Sequence, residues 1–382
     1  MAPPAPPSRN HALDGLRGLA ALLVVFYHLA SVFYPAIQTG DRNLAHGGWD
    51  AALHASPFWV LLNGEFDVAI FFVLSGYVLT RDAFATQQPG KLRLRAAGRL
   101  VRLGLPAGAS TLGVFVLLHA GAYRLQAAQA LSGADAVFDS HYLFAFPWTL
   151  TSLLENIVWR PWFAPADLTR MYNLVLWTMP VEFWGSCLVF AAGLMLLRAR
   201  WRTAALAVLA VLLWAAVPGI GPALAIFTGG AALASARVRV PAPMGLALLG
   251  LALGSYNGMR LFGLPAGMDT PLHCLGALLL VAGVLHAPAL QRSLTARWLL
   301  WLGRISFALY LVHQPVIFSL GAALFVALEP SGYTLAAAAS AVAVVVASLP
   351  LAVAMERWID RPAIRLAHGF AGFVLRPVQA CP

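Results

Sequence analysis

Residues 16–35 read LRGLAALLVVFYHLASVFYP. Wound as an α-helix, a run of this length rises roughly 30 Å, the thickness of the hydrocarbon core of a bilayer. The run is too long for the core of a signal peptide and lacks a convincing cleavage site, so it reads as a retained first span. Outward from it, comparable apolar runs recur near 58–80, 100–119, 171–197, 203–217, 221–236, 242–257, 272–290, 305–328 and 332–355. Val217-Pro218-Gly219-Ile220-Gly221-Pro222 divides one long apolar stretch into two, because consecutive Pro and Gly mark a tight turn. Of the 382 residues, 60% are hydrophobic and 10% charged, too few charges to wet a soluble exterior. The expected fold is all-α, a polytopic membrane protein with about ten transmembrane helices. A disordered Pro/Ala tail (1–10) precedes the membrane domain (11–366), and a short tail (367–382) follows it.

The distribution of Lys and Arg tests this topology, because it was not used to draw the spans. All but Arg42, Arg124, Arg160, Arg170 and Arg260 of the 25 basic residues fall at the termini or in alternate connections. The positive-inside rule makes that side cytoplasmic, with both termini on it. The net charge of +10 is thus spread over separate segments by insertion rather than gathered on one face, which excludes nucleic acid as a partner. Cys187, Cys274 and Cys381 are isolated, so neither a disulfide framework nor a cysteine zinc site is expected. His46 and His54 stand in an outer loop without further ligands, and no metal is expected. The longest break, about 121–170, lies outside the membrane and carries Trp148, Trp159 and Trp162, the composition of an interfacial anchor. Its other reading is a lid over an outward-opening cavity.

Ionisable residues inside spans are expensive, so each marks a function or a buried partner. They are His28, Glu65, Asp67, Glu182 and His313, with Glu65 placed toward the outer surface. Arg17 and His28 are eleven residues apart, which leaves them about 20° apart around the helix and roughly 16 Å apart along it. One stripe therefore joins a cytoplasmic cation to a mid-membrane imidazole, with Asp14 near it. The plainer reading pairs Arg17 with Asp14 and bonds His28 to a neighbouring carbonyl. Counted from the basic shelf, His28, Asp67, Glu182 and His313 fall in one middle band, suited to an ion path, a proton relay or a catalytic site. Arg95, Arg99 and Arg102 follow at i, i+4 and i+7, a guanidinium ladder fit for phosphate oxygens or for anionic lipid headgroups.

Six motifs, in order over about 11–366, resemble the acyltransferase-3 family of integral membrane acyltransferases. They are Leu13-Asp14-Gly15-Leu16-Arg17-Gly18 with Arg17-x10-His28; Phe71-Phe72-Val73-Leu74-Ser75-Gly76-Tyr77; Arg99-x-x-Arg102 with Pro106; Leu176-Trp177-Thr178-Met179-Pro180-Val181-Glu182; Ile305-Ser306-Phe307-Ala308-Leu309-Tyr310-Leu311-Val312-His313; and Glu356-Arg357-Trp358-Ile359-Asp360-Arg361-Pro362. One departure is Gly64-Glu65-Phe66-Asp67, where many members carry the acid nearer the Phe-Phe pair. The chain resembles the stand-alone form, without a fused esterase-like domain.

The resemblance implies acyl transfer, commonly of acetyl from acetyl-CoA, to a hydroxyl of a carbohydrate or other cell-envelope acceptor such as a lipid-linked glycan. No cofactor is bound permanently; acyl-CoA is the donor substrate, and the setting is a bacterial inner (plasma) membrane. Arg17, Arg99 and Arg102 are expected to receive the donor's phosphates, and His28 to remove the proton from the attacking hydroxyl. Glu182 orients or charges a partner, groups near Ser75 and Tyr310 steady the oxyanion, and Asp14, Asp67 and His313 support the site. Ser75 as a nucleophile is the covalent alternative. The competing function classes are a proton-coupled transporter or flippase using the mid-membrane band, a non-catalytic subunit of polysaccharide assembly, and the other large membrane acyltransferase family, whose histidine lies in a later span.

Overall fold

A computed structural model describes residues 10–138, 140–164, 167–236, 240–255 and 268–375. Every regular element among them is helical, as the bilayer requires: with no water in the hydrocarbon, backbone N–H and C=O groups must bond within their own segment. The principal helices are α1 (His11–Phe33), α2 (Gly64–Thr86), α3 (Pro89–His119), α4 (Leu150–Val158), α5 (Met179–Met195), α6 (Arg202–Ala216), α7 (Gly221–Ser235), α8 (Pro243–Gly254), α9 (Asp269–His286), α10 (Arg297–Val316), α11 (Tyr333–Met355) and α12 (Arg361–Val374). Among the described residues, seven helical stretches are long and apolar enough to cross a membrane. The shorter apolar helices α6, α7 and α8 stand where the sequence expects its fifth to seventh spans.

Asn10 caps α1, its side chain accepting from the Ala12 N–H at 3.1 Å; the rest of the expected 1–10 tail lies outside the described residues. At the other end the expected tail begins as helix, since α12 runs to Val374 and lays Ala363, Ala367 and Ala371 against the core. Arg237, Arg239, Arg260 and Arg376, used in the charge argument, lie outside the described residues.

Helices in lipid gain little from hydrophobic burial against each other, so association relies on close packing through small residues. α1 crosses α10 on Gly18 and Gly303, and a Cβ at Gly303 would stand 2.1 Å from the Asp14 carbonyl oxygen. α2 crosses α7 the same way, with Gly76 against the Phe227 carbonyl and Gly230 against that of Val73. The first crossing brings Arg17 of α1 beside the Gly303 carbonyl of α10, to which it donates at 2.8 Å.

Two π-turns interrupt otherwise continuous helix. One, Ile317–Gly321, follows α10; the other, Glu356–Asp360, joins α11 to α12. Pro315 within α10 lacks the N–H that would reach the Leu311 carbonyl. The Asn173 amide donates there instead, at 2.8 Å, and ties the segment before α5 to α10.

Among the described residues, none of the 121–170 connection lines the arginine cavity described below. Leu150, Leu154 and Val158 of α4 are exposed on one side with Trp159 and Phe163 beside them, while Trp162 is buried. That is the amphipathic layout of an interfacial element.

Candidate active site

Helices α1, α2, α3, α5 and α10 and the second π-turn converge on a cavity of about 610 Å³ at the end of the bundle that carries the basic segments. Its lining includes Arg17 of α1, Arg81 of α2, Arg95, Arg99 and Arg102 of α3, and Arg304 of α10, against the carboxylates of Asp14, Asp82, Glu182 and Asp360. Six guanidinium groups facing four carboxylates leave formal positive charge in a partly closed space, which attracts an anion far more strongly than the same charges in water.

The arginine ladder of α3 is held one rung at a time. Arg95 pairs with Asp82 at 2.8 Å and donates to the Leu79 carbonyl at 2.6 Å. Arg99 pairs with Glu182 and donates from Nε to the Ser186 hydroxyl at 2.7 Å. Arg102 forks onto both carboxylate oxygens of Asp360, which the second π-turn presents. Glu356, in the same turn, accepts from Arg361 at 2.6 Å and lies 4.0 Å from Arg304. π-Turns commonly mark functional positions, and this one aims two acids at the arginine cluster.

Glu182 and Ser75 therefore belong to the arginine cavity. Ser75 donates to Glu182 at 2.8 Å, and the same carboxylate oxygen takes the Arg99 guanidinium. The partner that Glu182 is expected to orient or charge is thus Arg99, and no hydrogen bond joins it to His28 of the same middle band; helix rise fixes depth but leaves open which way a side chain faces. Tyr310 also lines the cavity, its hydroxyl donating to the Val175 carbonyl at 3.0 Å and lying 3.1 Å from that of Thr178. The protons of Ser75 and Tyr310, expected to steady an oxyanion, are thus already engaged.

His28 and His313 lie one layer deeper and are not among the cavity-lining residues. The His313 ring is 5.9 Å from that of Tyr310 and 4.9 Å from that of His28. His28 Nδ1 is 3.0 Å from the Val24 carbonyl oxygen and 3.1 Å from His313 Nε2. The stripe read along α1 thus divides: Arg17 opens on the cavity, bonding Gly303 and Asp14 (3.5 Å), while His28 lies outside the lining and meets His313, whose ring neighbours the lining residue Tyr310. Asp67 is buried outside the cavity lining, with one carboxylate oxygen lacking a hydrogen-bond partner. Glu65 faces outward, two-thirds exposed and 3.6 Å from His273. His46 stacks on Tyr333, and His54 bonds the Ile37 carbonyl at 2.9 Å.

Arg81, Arg304, Asp82 and Asp360 complete the cavity although the sequence assigns them no role. Arg81 and Arg304 read there as topology charges, and Asp360 as part of a closing motif. A signal was present: Asp82 and Asp360 are acids at the basic rim of spans, where a neighbouring arginine ladder needs counter-charges.

A profile of the acyltransferase domain of the acyltransferase-3 family matches residues 10–357. Among characterised proteins, the chain is 26% identical over 380 residues to the O-acetyltransferase PaAT-1 of Phomopsis amygdali, covering 82% of this chain and 73% of that one. No solved structure matches it. With the profile extending from the cap of α1 into the π-turn that carries Glu356, the chain belongs to the acyltransferase-3 family, as an integral membrane acyltransferase.

Proposed function

We propose that the protein moves an acyl group, acetyl by expectation, from acyl-CoA to a hydroxyl of a cell-envelope carbohydrate or lipid-linked glycan, with His28 as the general base. The observation that carries this reading is the arginine cavity: a polyanion fits its positively charged lining, and Tyr310 of that lining stands beside His313, which in turn meets His28. The basic end of the bundle faces the cytoplasm by the positive-inside rule, where coenzyme A is found. Arg17, Arg81 and Arg304 meet the phosphates at the mouth, and Arg99 and Arg102 extend the positive surface inward. The O-acetyl transfer in the name of PaAT-1 supports acetyl as the group and oxygen as the acceptor atom.

In the reaction the acceptor hydroxyl oxygen attacks the thioester carbonyl while His28 Nε2 takes its proton. The tetrahedral intermediate collapses, the C–S bond breaks, and the thiolate leaves with the proton returned by the imidazolium. His28 is not among the cavity-lining residues, so the thioester has to pass beyond the lining, beside Tyr310 and His313, to reach it.

The test is turnover of labelled acetyl-CoA by purified protein with an envelope-glycan acceptor. His28→Ala is expected to abolish transfer while membrane insertion and donor binding remain. Normal turnover in that variant overturns the assignment of the base.

A further inference from the structure

The contact between the two histidines has only one self-consistent protonation pattern, and it gives His313 a task. Each Nδ1 sits 3.0 Å from the carbonyl oxygen four residues back, Val24 for His28 and Leu309 for His313. A carbonyl oxygen only accepts, so each neutral ring carries its proton on Nδ1. His313 Nε2 is then a bare lone pair, and it lies 3.1 Å from the Nδ1–H of His28. The reverse tautomers would set two nitrogen lone pairs against two carbonyl oxygens at 3.0 Å, inside a part of the bundle where His313 is fully buried.

We propose that His313 is a positioning residue: its Nε2 accepts a second branch of the His28 Nδ1–H bond, holding His28 in the tautomer whose Nε2 is unprotonated and free to take a proton. The proposal rests on the reading of His28 as the base. In acyl transferases and hydrolases that use a histidine base, a carboxylate commonly orients the ring; here a second neutral imidazole occupies that place. A neutral partner suits the setting, because a carboxylate at this depth would need its own counter-charge. His313 is rigid enough for the task. Its own Nδ1–H is anchored on Leu309, and the Pro315 gap just beyond is filled by Asn173.

Two measurements test this. The first is ¹⁵N NMR of histidine-labelled protein in nanodiscs, with His28→Gln and His313→Gln used to assign the resonances. Both rings are expected as neutral Nδ1–H tautomers with bare Nε2; a proton on Nε2 of either ring overturns the proposal. The second compares His313→Leu with His313→Gln, whose side-chain carbonyl can still accept from Nδ1–H of His28. His313→Leu is expected to lower kcat at least tenfold with KM for acetyl-CoA within twofold, and His313→Gln to recover most of the loss. Wild-type kcat in His313→Leu, or equal losses in both variants, overturns it. The NMR result does not depend on turnover, so a wrong tautomer rejects this proposal, whereas full activity of His28→Ala rejects the underlying reading.

Discussion

Arg99 and Glu182 form the most enclosed ion pair of the cavity, with side chains 11% and 16% exposed. Removing one partner of such a pair leaves the other charge poorly solvated, typically a loss of about 3–5 kcal/mol, while replacing both with apolar isosteres is often neutral. Each partner here keeps one further bond, Arg99 to Ser186 and Glu182 to Ser75, and the cavity brings solvent to one side. The lower end of the range therefore applies: Arg99→Met and Glu182→Gln should each destabilise by about 3 kcal/mol. The double variant should lose much less than the sum, giving a coupling energy of about 2 kcal/mol or more. Donor binding should separate the two single variants. Arg99→Met removes a charge-assisted contact of roughly 1.5–3 kcal/mol, raising the dissociation constant for acetyl-CoA by about tenfold or more. Glu182→Gln adds formal positive charge and should bind the donor at least as tightly as wild type. Unfolding in bicelles and titration calorimetry measure both quantities. Single variants as stable as wild type, or additive losses in the double variant, would refute the claim that this pair is buried and coupled. Weaker donor binding in Glu182→Gln would refute the electrostatic account of the cavity.

Arg17→Ala should raise KM for acetyl-CoA about tenfold while shifting the acceptor KM much less, as steady-state kinetics with each substrate varied in turn can determine. Gly303→Val should force α1 and α10 apart, since even a Cβ there stands 2.1 Å from the Asp14 oxygen where ordinary contact begins at 3.4 Å. The expected result is a lower unfolding temperature and lost turnover as the His28–His313 contact opens beyond hydrogen-bond range; wild-type values in both assays would show that the crossing is not the scaffold of the site.

The carrier reading drew on the same intramembrane residues, and the structure redistributes them. Glu182 joins the arginines, His28 and His313 join each other, and Asp67 stands apart from both groups. What the sequence read as one band divides into the cavity lining, which includes Glu182, and a histidine pair outside it. Periodicity along α1 placed Arg17 and His28 on one stripe, and the geometry keeps them on that helix while giving each a different neighbour on α10, the Gly303 carbonyl and the His313 ring.

Much of this molecule could be read from the chain alone. A bilayer accepts so few charges, and requires such complete backbone pairing, that apolar runs, Pro-Gly breaks and the placement of arginine suffice to define a polytopic helical protein and to mark Arg17, Arg99, Arg102, His28 and Glu182 as unusual. Pairing had to come from the tertiary structure, because helix periodicity specifies the direction of a side chain about its own axis and nothing about which helix stands opposite. The α1–α10 glycine crossing matched one histidine with another, the π-turn before α12 matched Arg102 with Asp360, and the packing of α3 on α5 matched Glu182 with Arg99.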